Sequence, residues 1–309
     1  MTELLLELSS GGSVADGQAI SSAGPTTALG PFPQLVDEIR SSAAAVRRPA
    51  VALMARLLPD TTDNISRITK SGGVPPLVDL LRSSEADVAD HAVAILANMV
   101  HPSLATADEH LDAIAAGGAV APLVAMLGNG IQRGRANAVV VLSYLAARHG
   151  NELGVHGAVP LLLTLLTSAE VSLKEAAARA LVGIAASSVS HQDAIRREGG
   201  VERLITQLKH ESTHLSAATQ TPQMAAVLTQ LSLAVSALAQ GHKANQAAIH
   251  SAGGGEALVE ILRGDAPEPT KAAAAEALYA LAETGANYSY TVSAISLLVQ
   301  LIGRYVPYP

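Results

Sequence analysis

The chain has 309 residues, of which 49% are hydrophobic and only 2% aromatic, so small and branched aliphatic side chains must fill its core. Its formal net charge of −7 provides no electrostatic footprint for nucleic acid. The lack of cysteine excludes disulfides, thiolate zinc sites and cysteine nucleophiles. It also fits a reducing compartment, so we expect a cytoplasmic protein, with the nucleus as an alternative.

Residues 1–29 are predicted to be a partial repeat or an N-terminal flank. The first seven residues carry acids where a signal peptide needs a basic flank. Residues 113–131 and 212–241 contain no Asp, Glu, Lys or Arg, and each is long enough for a membrane span of roughly 20 residues. The first contains turn-forming glycines and the second is rich in Ser, Thr and Gln. We therefore interpret both as buried helices and predict no membrane span.

From residue 30 onward, one short phrase occurs seven times. Its clearest copies are residues 72–81, 118–127 and 157–166, where Gly-Gly or Gly-Ala is followed by Val and then by Leu residues. Looser copies start at Gly30, Gly199, Gly253 and Ser293, so successive starts are 42, 46, 39, 42, 54 and 40 residues apart. A period of this size predicts a solenoid, in which each unit buries its apolar face against its neighbours.

The unit around Gly199 shows the helices expected in each repeat. Ser190 is a plausible N-cap for a short helix that stops at Gly199-Gly200. Residues 201–209 place Leu at helical spacing, and a longer apolar segment follows from about 223 to 240. Each unit is therefore predicted to contain a short helix, a sharp glycine turn, a second helix and a longer third helix.

The same aliphatic positions recur in the other units, and we interpret them as core. Four residues before the first glycine stand Ile20 (counted to Gly24), Ile68, Ile114, Leu153, Ile195 and Ile249. Five, six and nine residues after it stand Leu77, Val78, Leu81; Leu123, Val124, Leu127; Leu162, Leu163, Leu166; Leu258, Val259, Leu262.

The glycine turn, the Val-Pro-x-Leu-Val type of phrase and the period of about 42 residues resemble the armadillo repeat family, the fold of β-catenin and the importin-α adaptors. The resemblance implies an all-α, right-handed solenoid of about six to seven repeats, each with three helices, over residues 30–309. The units would start near 30, 72, 118, 157, 199, 253 and 293, and the last would be incomplete. HEAT repeats, which usually pair two helices without this turn, are the structural alternative.

The resemblance also implies that partners bind along a concave groove lined by the third helices. In import adaptors these helices carry a Trp and, four residues later, an Asn. Here no Trp position holds Trp, and Asn98 alone matches the Asn positions, which argues against that mechanism. The predicted groove residues are Arg48, Arg56, Asn98, Tyr144, Arg179, Tyr279 and Glu283.

These features predict a non-catalytic scaffold or adaptor that binds an extended or helical protein segment, acidic near the arginines. We expect no cofactor and no nucleic-acid partner. The alternatives are the substrate-recruiting region of a larger protein, such as a U-box-type ubiquitin ligase, and a nuclear transport adaptor. The chain enters and leaves partway through a unit, so self-association through uncapped ends is a further expectation.

His210-Glu211-Ser212-Thr213-His214 matches the H-E-x-x-H zinc-protease pattern. The pattern requires a helix that directs both imidazoles to one zinc, with the Glu beside the bound water. Because these residues fall where a second helix gives way to a polar insertion, we interpret the match as accidental and assign no metal.

Overall fold

The computed structural model describes residues 29–58, 62–101, 104, 106–213 and 221–282, and over these residues the chain is all helical, with sixteen helices and no strand. In chain order they are α1 (Phe32–Ile39), α2 (Ala44–Leu57), α3 (Thr62–Lys70), α4 (Val74–Leu80), α5 (Ala86–Met99), α6 (Ala107–Ala116), α7 (Val120–Asn129), α8 (Gln132–Val155), α9 (Ala158–Leu165), α10 (Val171–Ser187), α11 (Val189–Arg197), α12 (Gly200–Ser212), α13 (Pro222–Ala239), α14 (Lys243–Ser251), α15 (Gly254–Arg263) and α16 (Glu268–Ala282).

The helices form repeats of three, as the sequence predicts, and the third helices are α2, α5, the first part of α8, α10, α13 and α16. Helix α8 continues into the first helix of the next repeat across a kink at His149, where φ is −119° and ψ is 25°. The predicted N-cap at Ser190 is wrong, because the Ser188 side chain accepts the His191 N–H and α11 begins at Val189. The copy at Ser293 and residues 1–28 lie outside the described residues.

The turn between the first and second helices, which we call the elbow, depends on two adjacent small residues. The first glycine of each described copy has a positive φ of 60–75°, a region that other residues rarely adopt. At the second position, a Cβ on Gly73 would lie only 2.6 Å from Ile68 Cγ2. Ile68 is fully buried, as the sequence predicts for the aliphatic residue four positions before the elbow.

Polar side chains of first helices satisfy the carbonyl groups at the ends of preceding third helices. Asn64 Nδ2 donates to the Leu57 carbonyl at 2.7 Å and Asn245 Nδ2 donates to the Leu238 carbonyl at 2.9 Å. The buried His110 does the same through Nδ1, which lies 3.0 Å from the Met99 carbonyl oxygen. These bonds replace partners that a helix lacks in its last turn.

Helix α13 is the one described helix that is, by itself, long and apolar enough to cross a membrane. A bent pair, α6 and α7, passes the same test only as a unit, with an angle of 86° between the helices. Helix α13 packs between α10 and α16 as the third helix of its repeat, and 56% of it is buried. Its position in the core accounts for its apolar sequence.

The backbones of α8 and α10 come into direct contact at two glycines. A Cβ added to Gly183 would overlap the Ala146 carbonyl oxygen, and one added to Gly150 would overlap the Gly183 carbonyl. A side chain at either position would force the two backbones apart.

Gly183→Ala is therefore expected to lower the free energy of unfolding by about 1–3 kcal/mol, because the new methyl group meets backbone that cannot move aside. The measurement is denaturant unfolding of the full chain.

The matched control is Gly128→Ala on α7, where a new Cβ has only ordinary contact, 3.9 Å from Leu161. This change should be neutral or stabilise by about 0.5 kcal/mol, since alanine favours helix. Equal effects of the two substitutions would contradict the close approach.

Candidate partner-binding face

The third helices present one continuous exposed surface. Each packs against the third helices of its neighbours and against the second helix of its own repeat. The side that remains carries the mid-helix exposed residues, and we call it the third-helix face. Its exposed or half-buried members include five of the predicted site residues: Arg56, Asn98, Tyr144, Arg179 and Tyr279.

Two predicted residues come into contact at the centre of this face. The Arg179 guanidinium carbon lies 4.9 Å from the centroid of the Tyr144 ring, which joins α8 to α10 by a cation–π contact. Arg179 also forms an ion pair with Glu175, one turn earlier on α10. Both partners of that pair are largely shielded from solvent. The arginine is therefore held in place over the ring.

Arg48 lies at the start of a third helix, but its charge is already paired. Its guanidinium lies 3.0 Å from Glu85 Oε2 and 2.9 Å from Asp87 Oδ2, and Arg47 also pairs with Glu85. These contacts tie α2 to the start of the next third helix. Arg48 is consequently placed to hold two repeats together, and its prediction as a partner contact gains no support from this geometry.

The remaining predicted residues differ in their exposure and in the contacts that their side chains already make. Arg56 is exposed, and none of the ion pairs or hydrogen bonds among the described residues involves its side chain. Asn98 uses one amide donor within its own helix, to the Ala94 carbonyl at 2.8 Å. Tyr279 has 70% of its surface exposed. Glu283 lies outside the described residues.

The polarity of the third-helix face changes from the N-terminal to the C-terminal repeats. At the Asn positions of the fourth and fifth repeats stand Gly183 and Ala237, with the half-buried Leu233 one turn before Ala237. The close contact with α8 excludes any side chain at Gly183, so an Asn cannot occupy that place. The fifth and sixth repeats thus present apolar groups at Leu233 and Tyr279, whereas Arg56 and Asn98 make the first two repeats polar.

A set of inter-repeat contacts was not predicted from the sequence. A cation ten residues after the first glycine of one repeat donates to a carbonyl of the next elbow, a contact that we call the clasp. The three clasps are Arg40 Nη2 to Gly72 O at 3.2 Å, Arg82 Nη2 to Gly118 O at 2.8 Å and Lys209 Nζ to Ala252 O at 2.7 Å. The fixed spacing of these cations was the available signal.

The zinc-protease pattern has a structural explanation at its acid. Glu211 is 5% exposed and accepts from Lys174 Nζ at 2.6 Å, which links α12 to α10. Its carboxylate is therefore committed to a lysine of the preceding repeat. His214 lies outside the described residues, and no group of three potential metal ligands occurs within the parts of the chain that the structure describes.

Comparison with known proteins agrees with this architecture. The model of the armadillo/beta-catenin-like repeat matches residues 61–101 and 152–186. A crystal structure described as an engineered protein is 28% identical, covers 82% of this chain and 96% of its own, and has a TM-score of 0.64. No curated protein matches the chain by sequence.

Two other solved structures share the fold at lower identity. A designed armadillo repeat protein in complex with the peptide (KR)4 is 22% identical, covers 81% of this chain and 99% of its own, and has a TM-score of 0.62. A structure from work on a phosphorylation switch between cadherin and beta-catenin is 18% identical, covers 87% of this chain and 48% of its own, and has a TM-score of 0.68.

Two aspartates should affect stability in opposite directions with pH. Burial raises the pKa of Asp90 on α5, with Asp87 adding to the effect and His91 and Arg133 opposing it. The charged form is therefore the unfavourable one in the folded protein. Asp90→Asn should raise the melting temperature at pH 7, and the gain should disappear below about pH 3.9, where the unfolded carboxyl is also protonated.

Asp193→Asn supplies the matched control. A hydrogen bond from Arg196, followed by contributions from His242, holds the pKa of Asp193 below its ordinary value, although desolvation opposes them. Its stabilising contribution is present above the unfolded pKa and is lost as the pH falls through the folded pKa. The substitution should therefore lower the melting temperature at pH 7, and the same sign for both variants would contradict the assignment.

Proposed function

Because this chain is an armadillo repeat solenoid, we propose that it is a non-catalytic scaffold that binds an extended or helical protein segment along its third-helix face. The observation that carries this proposal is the Tyr144–Arg179 contact at the centre of the face. It fixes an aromatic ring and a guanidinium in one orientation, and groups of these two kinds contribute most to binding energy in protein interfaces.

The similar structures support the same class of function. One is a designed armadillo protein that holds a peptide, and another comes from work on the interaction of beta-catenin with cadherin. Those partners belong to those proteins. What carries over is the kind of ligand, a protein segment laid across several repeats, for which a continuous exposed face on successive third helices is suited.

The side chains of the face favour a segment with an acidic residue near the N-terminal repeats and apolar residues near the C-terminal ones. Arg56 is the exposed cation, while the half-buried Leu233 and the exposed Tyr279 provide apolar groups. The role as a substrate-recruiting region of a larger protein and the cytoplasmic location stay predictions.

Replacing Arg56 by Glu and Arg179 by Met is expected to reduce captured partner at least about tenfold, since a charge-assisted contact and an anchor are both removed. The measurement is affinity capture with quantitative mass spectrometry, with partners defined as proteins captured by wild type over a bait-free matrix. Thermal unfolding confirms that the variant is folded.

Lys243→Glu is the matched control for the charge reversal, because it makes the same change of charge sign as Arg56→Glu at an exposed residue of a first helix. It should leave capture of the same proteins unchanged. Unchanged capture by the Arg56/Arg179 variant, or equal loss with the control, would count against the third-helix face as the binding surface.

The peptide (KR)4 should bind this chain at least about 100-fold more weakly than it binds the designed armadillo protein, measured in parallel by fluorescence anisotropy. The reason is that cation–π slots need aromatic rings at the Trp positions, and of these only Tyr279 is aromatic here. Comparable affinity would favour the transport-adaptor alternative.

A further inference from the structure

At two of the described elbows the preceding repeat has no cation at the clasp position. The residue ten positions after the first glycine is Arg40, Arg82 and Lys209 in the first, second and fifth repeats, but it is Gly128 and Thr167 in the third and fourth. The elbows that follow these two residues are those at Gly157 and Gly199. Thr167 is exposed, and its hydroxyl donates back to the Thr164 carbonyl at 3.0 Å.

The elbow at Gly199 has the same acceptor set as the elbow at Gly253, where Lys209 is bound. In both, the glycine has a positive φ, 71° and 75° respectively, and a glutamate stands three residues later. A Cβ on Gly253 would lie 3.8 Å from Glu256 Oε2, and a Cβ on Gly199 would lie 4.0 Å from Glu202 Oε2. The two carboxylates therefore occupy equivalent positions beside their elbows.

The lysine at Gly253 shows where a cation is held in this geometry. Lys209 Nζ donates to the carbonyl of Ala252 at 2.7 Å, directly before the glycine, and it lies on the same side as Glu256. The corresponding carbonyl at the other elbow belongs to Glu198. None of the hydrogen bonds among the described residues ends on that carbonyl oxygen.

The arginines closest in sequence to the Glu198 carbonyl are engaged elsewhere. Arg196 Nη2 donates to Asp193 Oδ1 at 2.8 Å, and Arg197 Nε donates to the Asp193 carbonyl at 3.4 Å. The elbow at Gly157 is a poorer match, because Pro160 stands where Glu202 and Glu256 stand in the other two. The carbonyl and carboxylate therefore recur together only at Gly199 and Gly253 among the described elbows.

We propose that the Gly199 elbow, formed by the Glu198 carbonyl and the Glu202 carboxylate, binds a lysine ammonium group supplied by a partner protein segment. An ammonium on a flexible stem suits this set, since the chain itself uses lysine at the equivalent elbow. The site lies at the turn between first and second helices, apart from the third-helix face. It is a second contact surface with its own ligand chemistry.

The first test installs the missing clasp. Thr167→Lys should raise the melting temperature above that of Thr167→Gln, which adds a long side chain without the charge. The difference should be lost when Glu202→Gln is added to both. No difference between the Lys and Gln variants would show that the elbow does not accept an ammonium group, and would overturn the proposal.

The second test identifies the ligand with random 12-residue peptides displayed on phage. Peptides are selected on the wild-type chain after depletion on Thr167→Lys, so that ligands of the third-helix face, which bind both, are removed. We expect enrichment of peptides with lysine at one fixed position. Replacing that lysine by glutamine, or Glu202 by Gln, should each weaken binding about tenfold.

Arg56→Glu separates this site from the third-helix face and should leave the selected peptides bound with unchanged affinity. Three results would overturn the proposal: no peptide that distinguishes the two proteins, selected peptides without a shared lysine, or binding insensitive to Glu202→Gln. Each of these results leaves the proposal for the third-helix face intact, because that surface is tested by different residues and a different assay.

Discussion

The left-handed glycine at each elbow, followed by a residue too small to collide with the preceding helix, is the constraint on which the rest of the structure depends. It sets the angle between the first and second helices of a repeat, and the second helix in turn positions the third. Ile68 and its equivalents press directly against the second small residue. Because the positive φ favours glycine at the first position and the preceding aliphatic residue leaves little room at the second, the turn recurs in register and third helices can pack side by side.

This regularity separates two kinds of position. Residues that keep the angle and the core recur in register, and variation is left to the outer surfaces of the helices and to the edges of the elbows. Both proposed binding surfaces lie at such variable positions. The third-helix face differs from repeat to repeat in charge and ring content, while the elbows differ in whether the chain supplies its own cation. A regular framework thus carries surfaces with separate chemistry.

The helices of the solenoid and its core could be predicted from the sequence, because the periodic spacing of residues reflects backbone geometry and burial. The aliphatic residues before each described elbow are fully buried, and the three-helix unit is confirmed. The pairing of charged side chains could not be predicted from the sequence, because it depends on contacts between neighbouring repeats, such as that of Arg47 with Glu85, 38 positions further along the chain. Arg48 was predicted to contact a partner, but its guanidinium is paired with two carboxylates of the next repeat. The clasps were not predicted, because the cations that form them lie outside the apolar register by which the repeats are recognised.

The kinked junction within α8 has a consequence for how the solenoid unfolds. Elsewhere a third helix ends before the next first helix begins, so two repeats are joined by side-chain packing and a few hydrogen bonds. Between the third and fourth repeats one non-helical residue, His149, separates the two helical segments of α8, and the backbones of α8 and α10 meet at Gly150 and Gly183. In a nearest-neighbour description of unfolding, this close contact should strengthen the coupling between the two repeats. These two repeats would be the last to separate, so the smallest fragment that folds cooperatively should contain both.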